Sequence, residues 1–129
     1  PFSLNPNKNL AKNEVLVTIY YNKNIDIINA NEASTITAKE IRQDKLEVNA
    51  QEKAFINLVI VVKHLEVRAS SGGVIKLTGT TKNQNVDLDL YAIYNGFNLE
   101  CSSNSVVKSG TGAKAEIFAG ESLNAKVSF

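Results

Sequence analysis

Three observations predict an all-β, single-domain, right-handed parallel β-helix. Apolar and polar residues alternate in short runs along the whole chain. Those runs recur at a period of about 20 residues, giving about six coils. A bend of small or polar residues sits inside most copies, as in ASSGG at 69–73.

The alternating runs, taken in order, are VLVTIY at 15–20, NIDII at 24–28, KLEVNA at 45–50, HLEVRA at 64–69 and VIKLTG at 74–79, then VDLDLY at 86–91, GFNLEC at 96–101, AEIFAG at 115–120 and LNAKVSF at 123–129. A period of two in segments rich in Val, Ile and Leu marks half-buried strands. The gaps are short and filled by Asn, Ser, Gly and Lys, which favour turns. Residues 29–55 have a helix-tolerant composition, but Ile36, Ile41, Leu46 and Val48 do not recur at three-to-four spacing, so the segment reads as strand and turn.

The first apolar residue of each copy falls at Ile25, Leu46, Leu65, Val86, Val106 and Leu123, with spacings of 21, 19, 21, 20 and 17 residues. A unit this short cannot bury its own apolar face. Stacking coils about 4.8 Å apart pairs like strands and aligns their inward residues, for a rise of about 29 Å over six coils. The expected columns are Ile25, Leu46, Leu65, Val86, Val106 and, beside them, Ile27, Val48, Val67, Leu88. Parallel crossovers favour a right-handed coil. An antiparallel β-sandwich is the alternative, because it too has many short strands, but it does not require every second strand to match in register. Residues 1–22 are expected to form an N-terminal strand or cap region and 23–129 the repeated coils, within one domain spanning 1–129.

Composition removes several function classes. Among 129 residues the formal net charge is +1 and charges of both signs are mixed throughout, so no basic stripe is available for nucleic acid. No apolar run approaches the roughly 18 residues of a membrane span. One cysteine, Cys101, and one histidine, His64, give neither an intrachain disulfide nor a zinc set, and His64 lies in no catalytic constellation. The chain has no methionine, so it reads as a mature form or a fragment.

The stretches IDIINANEASTITA at 25–38, LEVNAQEKAFINL at 46–58, LEVRASSGGVIKLTG at 65–79 and VVKSGTGAKAEIFAG at 106–120 resemble the putative auto-transporter adhesin, head GIN domain family of bacterial envelope proteins. The likeness covers nearly the whole chain. Gln51-Glu52-Lys53 and Tyr91–Tyr94 depart from the family's Ser-Gly bend. The resemblance implies a β-helical fold, a periplasmic or extracellular place in the cell envelope and a non-enzymatic role in adhesion. It also implies that this chain is the C-terminal majority of a larger β-helical domain. It brings no catalytic residue and no cofactor. The partner it implies is a glycan or a cell-surface protein, with self-association through coil ends as the structural alternative.

Gly72-Gly73 and Gly110-Thr111-Gly112 match neither GxGxxG nor GxxxxGK[ST]; they fall at one place in their repeats, as bends would. Asp26, Glu47, Glu66 and Asp87 share the second position of four copies, which predicts a carboxylate ladder that is splayed, paired with Lys or Arg, or neutralised by a cation. The segment 86–100 supplies a candidate ligand surface of Asp87, Asp89, Tyr91, Tyr94, Asn95 and Phe97. Rings can stack on sugars while carboxylates and amides take hydroxyls, or the same rings can fill corners of the core. Asp87 and Asp89 also have the separation of a glycosidase pair, as any i, i+2 strand pair does, without a feature that would raise one pKa over the other.

Overall fold

The computed structural model describes residues 16–18 and 25–128. Over these residues the chain is all β, with no helix, wound as a parallel β-solenoid of about five turns with a period of about 19 residues. The parallel β-helix expected from the sequence is thus what is observed, at close to the expected period of about 20 residues. Most of the expected cap region 1–22, and Phe129 of the last run, lie outside the described residues.

Eight strands run in order: β1 Leu16–Thr18, β2 Ile27–Ala30, β3 Thr35–Ala50, β4 Phe55–Ala69, β5 Val74–Leu88, β6 Ile93–Ser109, β7 Lys114–Ala119 and β8 Ser122–Val127. Every pairing is parallel: β3 takes β1 and β2 on one side and β4 on the other, β5 lies between β4 and β6, and β6 takes both β7 and β8. The long strands join two of the runs read in the sequence. The second strand of one repeat continues round a corner into the first strand of the next while still paired to its neighbours, with register shifts after Ala38, Lys76 and Gly96 absorbing the bend.

The break between long strands is a tight turn, repeated five times. Residue i+3 donates its backbone N–H to the carbonyl of residue i in 31–34, 51–54, 70–73, 89–92 and 110–113, at 2.9–3.2 Å. In the first four turns both central residues have positive φ, as at Glu32 and Ala33 or Ser71 and Gly72, which is the type I′ signature; in the fifth only Gly112 does. Turns stack on turns, since Ala33, Lys53, Gly72 and Tyr91 each donate N–H to a carbonyl of the next coil's turn at 2.9–3.1 Å. The residue closing each turn is Ser34, Ala54, Gly73, Ala92 or Ala113. All are small because the coil below lies close: a Cβ on Gly73 would stand 2.4 Å from the Ala50 carbonyl oxygen.

The core is the stack of inward columns. One holds Val48, Val67, Val86 and Val107, with Ile28 below; a second holds Ala50, Ala69, Leu88 and Ser109. Four of the sequence-derived placements are corrected by this register. Ile28, not Ile27, faces the core, Val86 stacks on Val67 rather than on Leu65, and Leu88 stacks on Ala69 rather than on Val67. Val107 is the buried member of its pair, while Val106 points outward. The column of Leu46 and Leu65 continues instead as Gln84 and Ser105, both buried.

Those polar residues are satisfied by one another. Tyr94 is fully buried and its hydroxyl donates to Gln84 Oε1 at 2.9 Å, while Gln84 Nε2 donates to Ser105 Oγ at 3.1 Å. Burial, with a smaller contribution from Cys101, pushes the Tyr94 pKa far above its ordinary value, so the group is a neutral donor. Gly96 leaves space for the ring; a Cβ there would lie 2.6 Å from Tyr94 Cζ. Cys101 is buried and donates weakly to the Lys82 and Asn104 carbonyls at 3.3 Å.

A polar trough across the stacked coils as the candidate functional site

The final outward position of each first strand and the first residue of each turn form two parallel rows along the solenoid. The first row is Asn29, Asn49, Arg68, Asp87, Lys108 and Lys126, fixed by the strand register. The second is Asn31, Gln51, Ser70, Asp89, Gly110 and Ser128, held by turn-start hydrogen bonds such as Gln51 N–H to the Ala30 carbonyl and Ser70 N–H to the Ala50 carbonyl, both 3.0 Å. Between the rows runs an open trough. Six coil rows at about 4.8 Å spacing make it about 24 Å long.

Three cavities compose it. The first, of about 310 Å³, is lined by Asn29, Asn31, Asn49, Gln51 and Arg68. The second, of about 210 Å³, shares Gln51 and Arg68 with it and adds Ser70, Asp87 and Asp89. The third, of about 370 Å³, shares Asp87 and Asp89 and reaches Lys108, Thr111, Lys126 and Ser128. Shared walls make the three continuous.

The amide end is unevenly satisfied. Asn49 Nδ2 donates to Asn29 Oδ1 at 2.6 Å and to Glu47 Oε2 at 2.9 Å, but the Oδ1 atoms of Asn31 and Asn49 are enclosed and accept no hydrogen bond. An enclosed acceptor without a donor costs about 1–3 kcal/mol. Both oxygens belong to residues lining the first cavity. At the centre, Asp89 Oδ1 accepts from the backbone N–H of Leu90 at 2.9 Å and of Thr111 at 3.2 Å, so this carboxylate ties two adjoining turns together.

The six residues of the sequence-derived ligand surface are not brought together. Asp87 and Asp89 line the trough. Tyr91 is a central residue of the turn that Asp89 begins and is 68% exposed, Tyr94 is in the core, and Asn95 and Phe97 lie on the face beyond the turn. Phe97, 58% exposed, meets Phe118 of the next coil with ring centroids 6.0 Å apart. Tyr94 is thus withdrawn from the surface set.

The carboxylate ladder forms only in part: Asp26, Glu47 and Glu66 line one cavity together with Lys45 and His64, while Asp87 falls in another row. Glu47 and Glu66 are register neighbours, but Asp87 pairs with Arg68 and Lys108 in the adjoining row. Glu66 lies 3.8 Å from Arg68 in an exposed ion pair. Among the described residues no group of three or more His, Cys, Asp or Glu could hold a metal ion. His64 belongs to a different polar row: its Nδ1 is 3.2 Å from Asn83 Nδ2, Asn104 Nδ2 donates to Asn83 Oδ1 at 3.3 Å, and Ser122 Oγ donates to Asn104 Oδ1 at 2.8 Å.

Neither a curated protein nor a solved structure matches the chain. The model of the putative auto-transporter adhesin, head GIN domain family matches residues 3–129. With the stacked repeat now seen directly and the family pattern running through all of it, this chain belongs to the putative auto-transporter adhesin, head GIN domain family.

Proposed function

We propose that the protein is a non-enzymatic, adhesin-like binding module of the bacterial cell envelope, and that its ligand, a glycan or a surface protein, lies in the trough. The family's adhesin description supports the class of function. The observation that carries the site is the continuity of three cavities lined mainly by polar residues across the stacked coils. Asp87 and Asp89 lie within it, with Tyr91 on the turn beside them. A rigid stack of parallel strands offers the same side-chain positions coil after coil, which suits recognition of an extended partner.

An array of glycans and purified surface proteins tests this reading. Binding that falls with Asn49→Ala or Arg68→Ala, but not with Lys63→Ala on another row, supports it. Turnover of a polysaccharide that disappears in Asp87→Asn or Asp89→Asn contradicts it.

A second reading, a scaffold that assembles through coil ends, has its own observation. The last coil leaves Leu123 53% and Val127 70% exposed, with Ile117 half-buried, although all three occupy inward positions. An apolar row exposed in this way suits a further strand or a second solenoid laid against it. Sedimentation that reveals concentration-dependent association, abolished by Leu123→Glu, supports this scaffold role.

A further inference from the structure

We infer that the trough takes a linear, uncharged polysaccharide lying parallel to the solenoid axis. This deepens the binding reading above and rests on it.

Geometry gives the direction. Equivalent side chains recur once per coil, at about 4.8 Å, a step close to the rise of one sugar unit in an extended β-1,4-linked chain. A polymer laid along the trough meets a new pair of polar side chains with each unit, so its hydroxyls fall in step with the protein's own repeat.

Hydrogen-bonding chemistry gives the class. Asn29, Asn31, Asn49 and Gln51 line the first cavity with amide side chains, a group that both donates and accepts, as sugar hydroxyls do. Arg68, Lys108 and Lys126 donate, while Asp87 and Asp89 accept. Sugar hydroxyls do both and therefore match a wall in which donors and acceptors are interspersed.

Charge opposes an acidic polymer at the centre of the trough. The wall carries three cations, Arg68, Lys108 and Lys126, against two carboxylates, Asp87 and Asp89, leaving +1 over the whole length. Both carboxylates sit at the centre, where a uronate or sulfate chain would have to cross them. An extended peptide would need apolar recesses for alternate side chains, and the only apolar side chains among the lining residues are those of Ala30, Ala69 and Leu88. No aromatic ring lines the three cavities, so binding rests on hydrogen bonds and grows with chain length.

The test is calorimetric titration of the folded protein with hexasaccharides of β-1,4-glucan, β-1,4-mannan and β-1,4-xylan, their disaccharides, and a hexamer of galacturonate. The expected result is binding of at least one neutral hexamer, at least 10-fold tighter than its disaccharide and than galacturonate. Asn49→Ala and Arg68→Ala each weaken it at least 5-fold. Because both side chains point outward, the melting temperature of each variant reports whether the fold is kept; Ser70→Arg, which fills the trough from the other wall, gives the same loss independently. Preference for galacturonate, or neutral binding untouched by all three variants, overturns the inference. Binding of a surface protein alone also overturns it but leaves the adhesin reading standing, whereas no binding to any glycan or protein removes both.

Discussion

Replacing Gly79 by alanine tests the stacking of the coils at one atom. Gly79 is the register partner of Ile60 in the coil before and of Leu99 in the coil after. Its φ is +121°, a conformation that side chains rarely adopt, and a Cβ built on it would lie 2.0 Å from the Ile60 carbonyl oxygen, where contacts under 3.0 Å essentially never occur. The backbone strain alone costs about 1–3 kcal/mol. Relieving the overlap requires two parallel strands to part, which disturbs their hydrogen bonds, so the total is about 3 kcal/mol or more. At an unfolding entropy of about 2.1 cal/mol/K per residue, that lowers the melting temperature by about 11 °C. Gly72→Ala is the control. Its φ is +78° and the nearest atom to a new Cβ is Lys53 Cγ at 3.4 Å, so only the conformational cost of about 1–2 kcal/mol applies. Thermal melting followed by circular dichroism reads both. A loss below about 1 kcal/mol for Gly79→Ala refutes the register, because residue 79 would then not lie against Ile60.

Two further substitutions probe the interior and the turns. Tyr94→Phe leaves Gln84 Oε1 buried without its donor and should cost about 1–3 kcal/mol at neutral pH. It should also change the alkaline limb of the stability profile: above the ordinary pKa of 10.0 the unfolded phenol releases a proton that the folded one keeps, so wild-type stability falls as pH rises past that value, and the variant loses that part of the slope, as urea unfolding between pH 9 and 11 would show. Lys53 adopts φ +63° at the turn position that Gly72 fills in the next coil, so Lys53→Gly should stabilise by about 0.5–1 kcal/mol while Lys53→Ala changes little, a difference measurable in denaturant midpoints.

The repeat was legible because stacked coils need similar residues at similar places. Leu46 and Leu65, and likewise Val48 and Val67, are register partners at the same places in KLEVNA and HLEVRA, so the periodicity carried the architecture. The exact register was less legible for a physical reason. The offset between neighbouring coils is not constant: partners are 19 residues apart between Phe55 and Val74, 21 between Val86 and Val107, and 18 between Asn104 and Ser122. Adjacent apolar residues such as Ile27-Ile28 and Val106-Val107 leave the inward choice open to either parity. Gln84 and Ser105 could not be recognised as inward residues, since only the Tyr94 hydroxyl and their mutual bond make their burial tolerable.

The site was harder to read. Period-two reasoning ran Asp87, Asp89 and Tyr91 together with the aromatics that follow, but the type I′ turn at 89–92 sends the chain onto a new face and Tyr94 into the core. The trough left no local signal at all. Asn49, Arg68, Asp87 and Lys108 are common surface residues about 20 positions apart, and only stacking makes them neighbours. A search for outward polar residues recurring at the repeat period, just before each turn, would have found the row.

The central claim is that one line of residues across the coils is the binding surface. Backbone amide chemical shifts recorded while titrating a neutral β-1,4-linked hexasaccharide test it most directly. The account predicts perturbations at Asn49, Arg68, Asp87 and Lys108 and at the turn residues beside them, recurring at about the repeat period along the sequence. Shifts confined to Phe97, Phe118 and their neighbours, or to the exposed last coil around Leu123, would contradict it.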